Sequence, residues 1–279
     1  MSVMMRYPQG LRKALTLSYD DGVEQDIRLM EILDRHGIRC TFNINSGLYA
    51  PEGFVWPEGT IHRRMTHSRA VALYKDTPHE VAVHCLEHSS LVELPQDQVA
   101  WEVLTDRNNL EHDFGGMIRG LAYPYGTFND QVVETLRTCG VLYARTVIST
   151  HDFEIPQDWL RLPATCHHAD PQLIPLCDAF LADDCHSRSK LFYLWGHAYE
   201  FEAADNWQVI EQFAEKMGGR SDIWYATNGE IARYCLAWKQ LVFSADRRRV
   251  YNPTVTDLWL EDHGQVIRIP SGATVDCPQ

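Results

Sequence analysis

The sequence predicts an α/β protein in which about seven parallel strands close most simply into a barrel. Two observations predict it. Short β-rich runs alternate with helical patterns for most of the chain, and between the strands apolar residues recur at three- and four-residue steps. An open doubly wound sheet has the same linear pattern, and in either arrangement ligands bind at the C-terminal strand ends. With 279 residues, 45% hydrophobic and 23% charged, the chain suffices for one large domain with a small appendage.

In chain order, strands are expected near residues 14–19 (ALTLSY), 40–45 (CTFNIN), 80–84 (EVAVH), 118–123 (IRGLAY), 142–147 (LYARTV), 191–197 (LFYLWGH) and 222–226 (DIWYA). Helices are expected at about 24–36, 67–76, 96–113, 129–139 and 171–184. A further helix places Trp207, Ile210, Phe213, Ala214 and Met217 on one face, and Gly218-Gly219 stops it. In the next, Thr227 and Glu230 have the spacing of a capping box, ahead of a stripe formed by Ile231, Tyr234, Cys235 and Trp238. From about residue 240 the pattern changes. "DLWLEDHGQVIRIP" consists of two alternating runs around a turn at Asp262–Gly264, so residues 1–240 are expected to form the barrel and 241–279 a C-terminal β extension containing this hairpin.

The net charge of −13 disfavours nucleic acid and anionic membrane surfaces as partners, since both carry the same sign. The sequence has no apolar run near the length of a membrane span, and "MSVMMRYPQGLRK" has no signal-like apolar region, so a cytoplasmic protein is expected. Eight cysteines lack C-x-x-C spacing and are expected to be reduced thiols.

Polar groups gather at the expected strand ends. Asp20 and Asp21 close the first strand and precede Gly22; His84 closes the third, with His88 four residues on; the fourth runs into Tyr123-Pro124-Tyr125-Gly126; His197 closes the sixth. Two imidazoles and one carboxylate form a face for a divalent ion with open positions for water and substrate. An ion also relieves the repulsion of adjacent aspartates. Successive side chains at a strand end point apart, so one can bind the ion while the other acts as a base towards water. A backbone N–H near Tyr125 would face the negative oxygen formed on attack, and His197 would supply the leaving group's proton.

These residues resemble the polysaccharide deacetylases with a NodB-type homology domain, carbohydrate esterase family four, over roughly residues 12–240. The matching motifs are Ser18-Tyr19-Asp20-Asp21-Gly22, the pair His84 and His88, Pro124-Tyr125-Gly126, and Leu194 to His197. The resemblance implies a distorted (β/α) barrel, often of seven strands, to which the β-hairpin read above adds a small C-terminal appendage. It implies Asp20 as catalytic base, Asp21, His84 and His88 as metal ligands, His197 as general acid and the Tyr125 amide at the oxyanion. Zinc is the expected metal, with cobalt, iron or nickel as alternatives. An N-acetylated sugar or oligosaccharide is the expected substrate, contacted by Tyr123, Pro124, Trp195 and Tyr199. Sugar O-acetyl esters, a small amide or cyclic imide, and a non-catalytic carbohydrate-binding role are the alternatives.

Two family features are displaced. The arginine that commonly precedes the third motif is replaced by Ala122-Tyr123, leaving Arg119, Arg145 and Arg161 as candidates for its charge. The region that orients the acid histidine is echoed only by Asp158-Trp159. The insert at 46–66 is expected to gate or line the site, with Trp56 either stacking on a sugar or tucked under its own loop. Glu200 and Glu202 are read as a solvated helix entrance, with contact to an amine product as the alternative. His167 and His168, in "CHHAD", are read as surface loop, with a ligand or substrate contact as the alternative.

Overall fold

The computed structural model describes residues 3–277. After a short strand β1 (Met4–Arg6), the chain enters repeated strand–helix units: β2 (Lys13–Asp20), α1 (Asp26–Arg35), β3 (Cys40–Ile44), α2 (His67–Tyr74), β4 (Glu80–Val83), α3 (Gln96–Phe114), β5 (Gly120–Ala122), α4 (Asp130–Thr138) and β6 (Tyr143–Ser149). Two short strands follow, β7 (Leu162–Ala164) and β8 (Cys166–His167), then α5 (Leu173–Ala182), β9 (Lys190–Gly196), α6 (Ala198–Ala203), α7 (Gln208–Met217), β10 (Ile223–Tyr225) and α8 (Asn228–Trp238). All seven expected barrel strands and all seven expected helices are present.

The sheet closes through a segment that the pattern does not reveal. Strands run in parallel in the order β6-β5-β4-β3-β2-β9, and the segment from Leu162 to His167 bridges the two open edges. Its first half, β7, pairs with β6, and its second half, β8, pairs with β9. Pro163 has no N–H to give a ladder, which confines this segment to short, broken pairing. β10 pairs with the first residues of β2, Lys13 to Leu15, on the flank where β3 takes Leu17 to Asp20.

Alternation along β2 explains how the barrel acquires a polar interior. Leu15, Leu17 and Tyr19 face the helix layer and join the main core with Phe42, Ile44 and Leu194. The intervening residues point inward, since side chains alternate across a strand. Thr16 Oγ1 donates to Asn228 Oδ1 at 2.7 Å, and Asn43 Nδ2 donates to Ser18 Oγ at 2.8 Å. This buried column of paired polar groups rises to Asp20 at the C-terminal end of the strand. An unpaired group there would cost about 1 to 3 kcal/mol, and the inward side chains of β2, Thr16, Ser18 and Asp20, are each tied to a neighbour.

The remaining strands are antiparallel: β11 (Val242–Phe243), β12 (Arg249–Tyr251), β13 (Leu258–Asp262), β14 (Gln265–Ile269) and β15 (Thr274–Asp276). β13 and β14 form the expected hairpin, and its two turn residues, His263 at φ 50° and Gly264 at φ 79°, both take the positive φ that a tight hairpin turn needs. β1, placed with the barrel by the sequence boundary, instead adds a third strand to this hairpin. The junction is held by Arg6 Nε on Glu261 Oε2 at 2.8 Å and by Tyr234 Oη donating to the Arg6 carbonyl at 2.6 Å. Among the described residues all the cysteines are free, and no helix is long and apolar enough to cross a membrane.

Candidate active site

Asp20 is the last residue of β2 and only 2% exposed. Its Oδ1 accepts from Asn43 Nδ2 at 2.8 Å, and its Oδ2 accepts from the guanidinium of Arg145. His84 Nε2 lies 3.8 Å and His197 Nε2 3.7 Å from the same Oδ2. Burial works against the ionised form, but the charge of Arg145 first, and then that of His197, holds Asp20 below the usual carboxylate range. Arg145 is itself fully buried, and its guanidinium sits 4.5 Å from the Trp195 ring. Of the three candidate arginines, Arg145 therefore supplies the displaced charge. Register explains the substitution: Ala122 of β5 pairs with Arg145 of β6, so the arginine stands one strand over from its family position.

The backbone turns sharply after Asp20, and Asp21 has φ 84°. Cys85, His88 and Tyr125, on the neighbouring strand ends, also take positive φ, at 66°, 55° and 58°. Each such conformation costs a non-glycine residue about 1 to 2 kcal/mol, and their concentration at one rim marks a place where side-chain direction outweighs backbone comfort. The turn at Asp21 separates the two carboxylates, leaving Asp20 in the interior and Asp21 on the rim.

Asp21, His84 and His88 present one donor atom each within 4.8 Å of one another, a group able to hold a metal ion. His84 Nε2 and His88 Nε2 lie 3.9 and 4.0 Å from Asp21 Oδ1. Donors each about 2.1 Å from a shared ion stand up to about 4.2 Å apart, so these separations fit. The tautomer fits too. His84 Nδ1 is 2.8 Å from the Ala122 carbonyl, which requires the proton on that nitrogen, and its buried Nε2 has no hydrogen-bond partner. Burial first, and the charge of Arg145, favour neutral His84; burial and His84 hold His88 down to about 4. Both rings are thus neutral donors near neutrality. Asp106 supports them from below, accepting from His84 N at 3.1 Å and Ser46 N at 2.7 Å.

The 46–66 insert lines the site as expected, and supplies contacts that its glycine, proline and aromatic content does not announce. Arg64 Nη2 donates to Asp21 Oδ1 at 3.0 Å, and His62 Nε2 lies 3.1 Å from Asp21 Oδ2. Arg63 Nη1 donates to Glu202 Oε1 at 2.7 Å, so Glu202 anchors the insert. Trp56 donates to the Arg64 carbonyl at 3.1 Å and packs edge-on to Phe54, tucked in its own loop.

The expected substrate residues divide. Tyr123 is 1% exposed and donates to the Leu160 carbonyl at 2.8 Å, and Pro124 is buried, so both pack beneath the rim. Trp195 is 9% exposed and supports Arg145. Tyr199 lies at the rim, its ring 4.8 Å from that of His62 and 5.3 Å from that of His197. Tyr125 is 66% exposed, with its ring against His88 at 4.6 Å. The following Gly126 has φ 69°, and a Cβ there would stand 2.4 Å from Val147, so this turn requires glycine.

On the far side of Asp20 lies a second set of histidines. His197 Nδ1 is 3.2 Å from Glu200 Oε1, and the Nε2 atoms of His167 and His168 each lie 3.1 Å from Glu200 Oε2, off the line of an ideal hydrogen bond. Glu200 is therefore a partner of histidines and not a solvated helix entrance. His168, read as surface loop, is 2% exposed and stacks on Phe201. Asp158 is engaged elsewhere: it caps Leu160 N at 3.0 Å and pairs with Arg161 Nη1 at 2.6 Å.

Residues 8–144 match the polysaccharide deacetylase family model. That stretch is just under half of the chain. It contains the strand ends carrying Asp20, Asp21, His84, His88 and Tyr125. Among solved structures, a candidate polysaccharide deacetylase from Mycobacterium smegmatis is 18% identical, with 85% of this chain and 95% of that one covered and a TM-score of 0.59, a likeness in fold. A family 4 carbohydrate esterase from Streptomyces lividans in complex with acetate is 16% identical over 77% of this chain and 92% of that one, TM-score 0.49. A CE4 family pseudoenzyme from Bacillus anthracis is 16% identical over 82% of this chain and 68% of that one, TM-score 0.47. No curated protein matches the sequence.

Proposed function

We propose that this polysaccharide deacetylase relative is a metal-dependent hydrolase that removes acetyl groups from N-acetylated sugars or oligosaccharides. The observation that carries the reading is the placement of Asp20 between two functions: its Oδ2 faces Arg145 and His197, while the Asp21, His84 and His88 donors stand beside it. A divalent ion held by those three donors, zinc in this proposal with cobalt, iron or nickel as alternatives, would polarise water and the acetyl carbonyl.

The protein's own groups then divide the proton work. Asp20, kept ionised by Arg145, takes a proton from the attacking water. As the carbonyl oxygen gains charge, the backbone N–H of Tyr125 faces it, held by the positive-φ turn. Burial opposes a proton on His197, yet the Glu200 hydrogen bond and the charges of Asp20 and Glu200 raise its pKa above the ordinary value. The proton is thereby favoured on His197, which gives Nε2–H to the departing amine, leaving acetate and a free amino sugar.

The test is acetate release from N-acetylated chitooligosaccharides, measured with the metal content of the same preparation. Activity lost on chelation and restored by zinc or cobalt is the expected result. A metal-loaded protein that releases no acetate from a panel of N-acetylated sugars would overturn the reading.

A further inference from the structure

We propose that Glu200 is the positioning residue for His197, taking the task that the Asp158 region was expected to perform; this rests on His197 acting as the acid. His197 is the N-cap of α6 and Glu200 the third residue of its first turn, so the fold itself brings the two together, with Nδ1 3.2 Å from Oε1. An imidazole nitrogen on an ionised carboxylate must carry its proton there. The Nδ1–H so fixed aims Nε2 towards Asp20 Oδ2, 3.7 Å away, and into the site.

Glu200 is itself held. His167 Nδ1 accepts from Ala169 N at 3.1 Å, so in the neutral ring its proton is on Nε2, which faces Glu200 Oε2 at 3.1 Å. That assignment leaves His167 Nε2 no lone pair to offer, and argues against reading His167, His197 and Glu200 as a second metal site, although their donor atoms are close enough for one. His168 brings Nε2 to the same oxygen at 3.1 Å while its ring stacks on Tyr19 and Phe201. Gly196 makes room for it: a Cβ there would stand 2.0 Å from His168 Nδ1. Two imidazoles thus flank one oxygen of Glu200 while the other meets His197, so the carboxylate is packed on both sides and constrains His197 in turn.

The test combines a spectroscopic and a kinetic reading. Long-range ¹H–¹⁵N NMR of the intact protein, with labelled histidine, is expected to find His197 as the Nδ1–H tautomer at pH values where its ring is neutral, and Glu200→Ala is expected to shift it towards Nε2–H. With an N-acetylated chitooligosaccharide, Glu200→Ala is expected to lower kcat by on the order of 10²-fold with KM nearly unchanged. In a His197→Ala background the same substitution is expected to cost nothing further. Wild-type His197 found as Nε2–H, or a full second loss in the His197→Ala background, would overturn the assignment. Glu200→Gln, of equal size, serves if Glu200→Ala does not fold: it too is expected to lower kcat at nearly constant KM, and an unchanged kcat would count against the proposal. The wild-type spectrum needs neither variant nor activity, so a protein without deacetylase activity would sink the proposed function while this geometry is still read directly.

Discussion

Two places in this molecule each set a pair of neighbouring imidazoles against a carboxylate, with opposite protonation. His84 and His88 meet Asp21; His167 and His168 meet Glu200. In the first, the other nitrogen of His84 faces the Ala122 carbonyl, which draws the proton away and leaves Nε2 a bare lone pair. In the second, the other nitrogen of His167 accepts a backbone N–H, which sends the proton to Nε2. A lone pair turned inward suits a cation, whereas a proton turned inward suits a carboxylate. The lesson is that the backbone atom behind an imidazole, more than the residues in front of it, decides between a metal site and an anion cradle.

The sharpest way to break the comparison is metal analysis of paired variants. His84→Ala or His88→Ala is expected to lose nearly all bound metal, and His167→Ala to lose none; a His167 variant that loses metal would end the distinction. Asp20→Ala and His197→Ala, between the two groups, are each expected to keep the ion and lose about 10² to 10⁴-fold in kcat. Either variant retaining full turnover would remove that residue from its assigned role.

Arg145→Ala probes the pairing that lets Asp20 stay charged. Breaking a buried ion pair from one side costs about 3 to 5 kcal/mol, so a fall in melting temperature on the order of 10 °C is expected. A change within a degree or two would mean that water, not Arg145, satisfies Asp20.

A last prediction concerns a carboxylate with no cation partner among the described residues. Asp26 is buried, and burial raises its pKa to about 8 despite hydrogen bonds from Tyr74 Oη and Val23 N. Its pKa is higher folded than unfolded, so the stabilisation of the neutral acid is complete below about pH 4 and is lost as pH rises towards 8. Thermal melts across that range are expected to show wild type falling relative to Asp26→Asn. Parallel curves would mean that Asp26 is ionised in the fold, like Asp20.

Much of this protein is determined locally. Alternation in "ALTLSY" fixes which face of β2 meets the helices, Thr227 and Glu230 form the capping box that their spacing calls for, and the hairpin turn is set by His263-Gly264. Strand-end residues such as Asp20, His84 and His197 were legible because a parallel strand exposes its C-terminal end to the same rim wherever it falls in the chain. Closure of the barrel by Leu162–His167 was not legible, since Pro163 and five neighbouring residues carry no sustained period. Nor was the choice of Arg145, which depends on its register beside Ala122, or the gathering of His167, His168 and His197 around the Glu200 carboxylate. Periodicity and caps act between residues a few positions apart and can be read along a chain. The charge pairing of Asp20 with Arg145 and the protonation of His84 are set by groups dozens of residues away in sequence, and only the folded backbone brings them together.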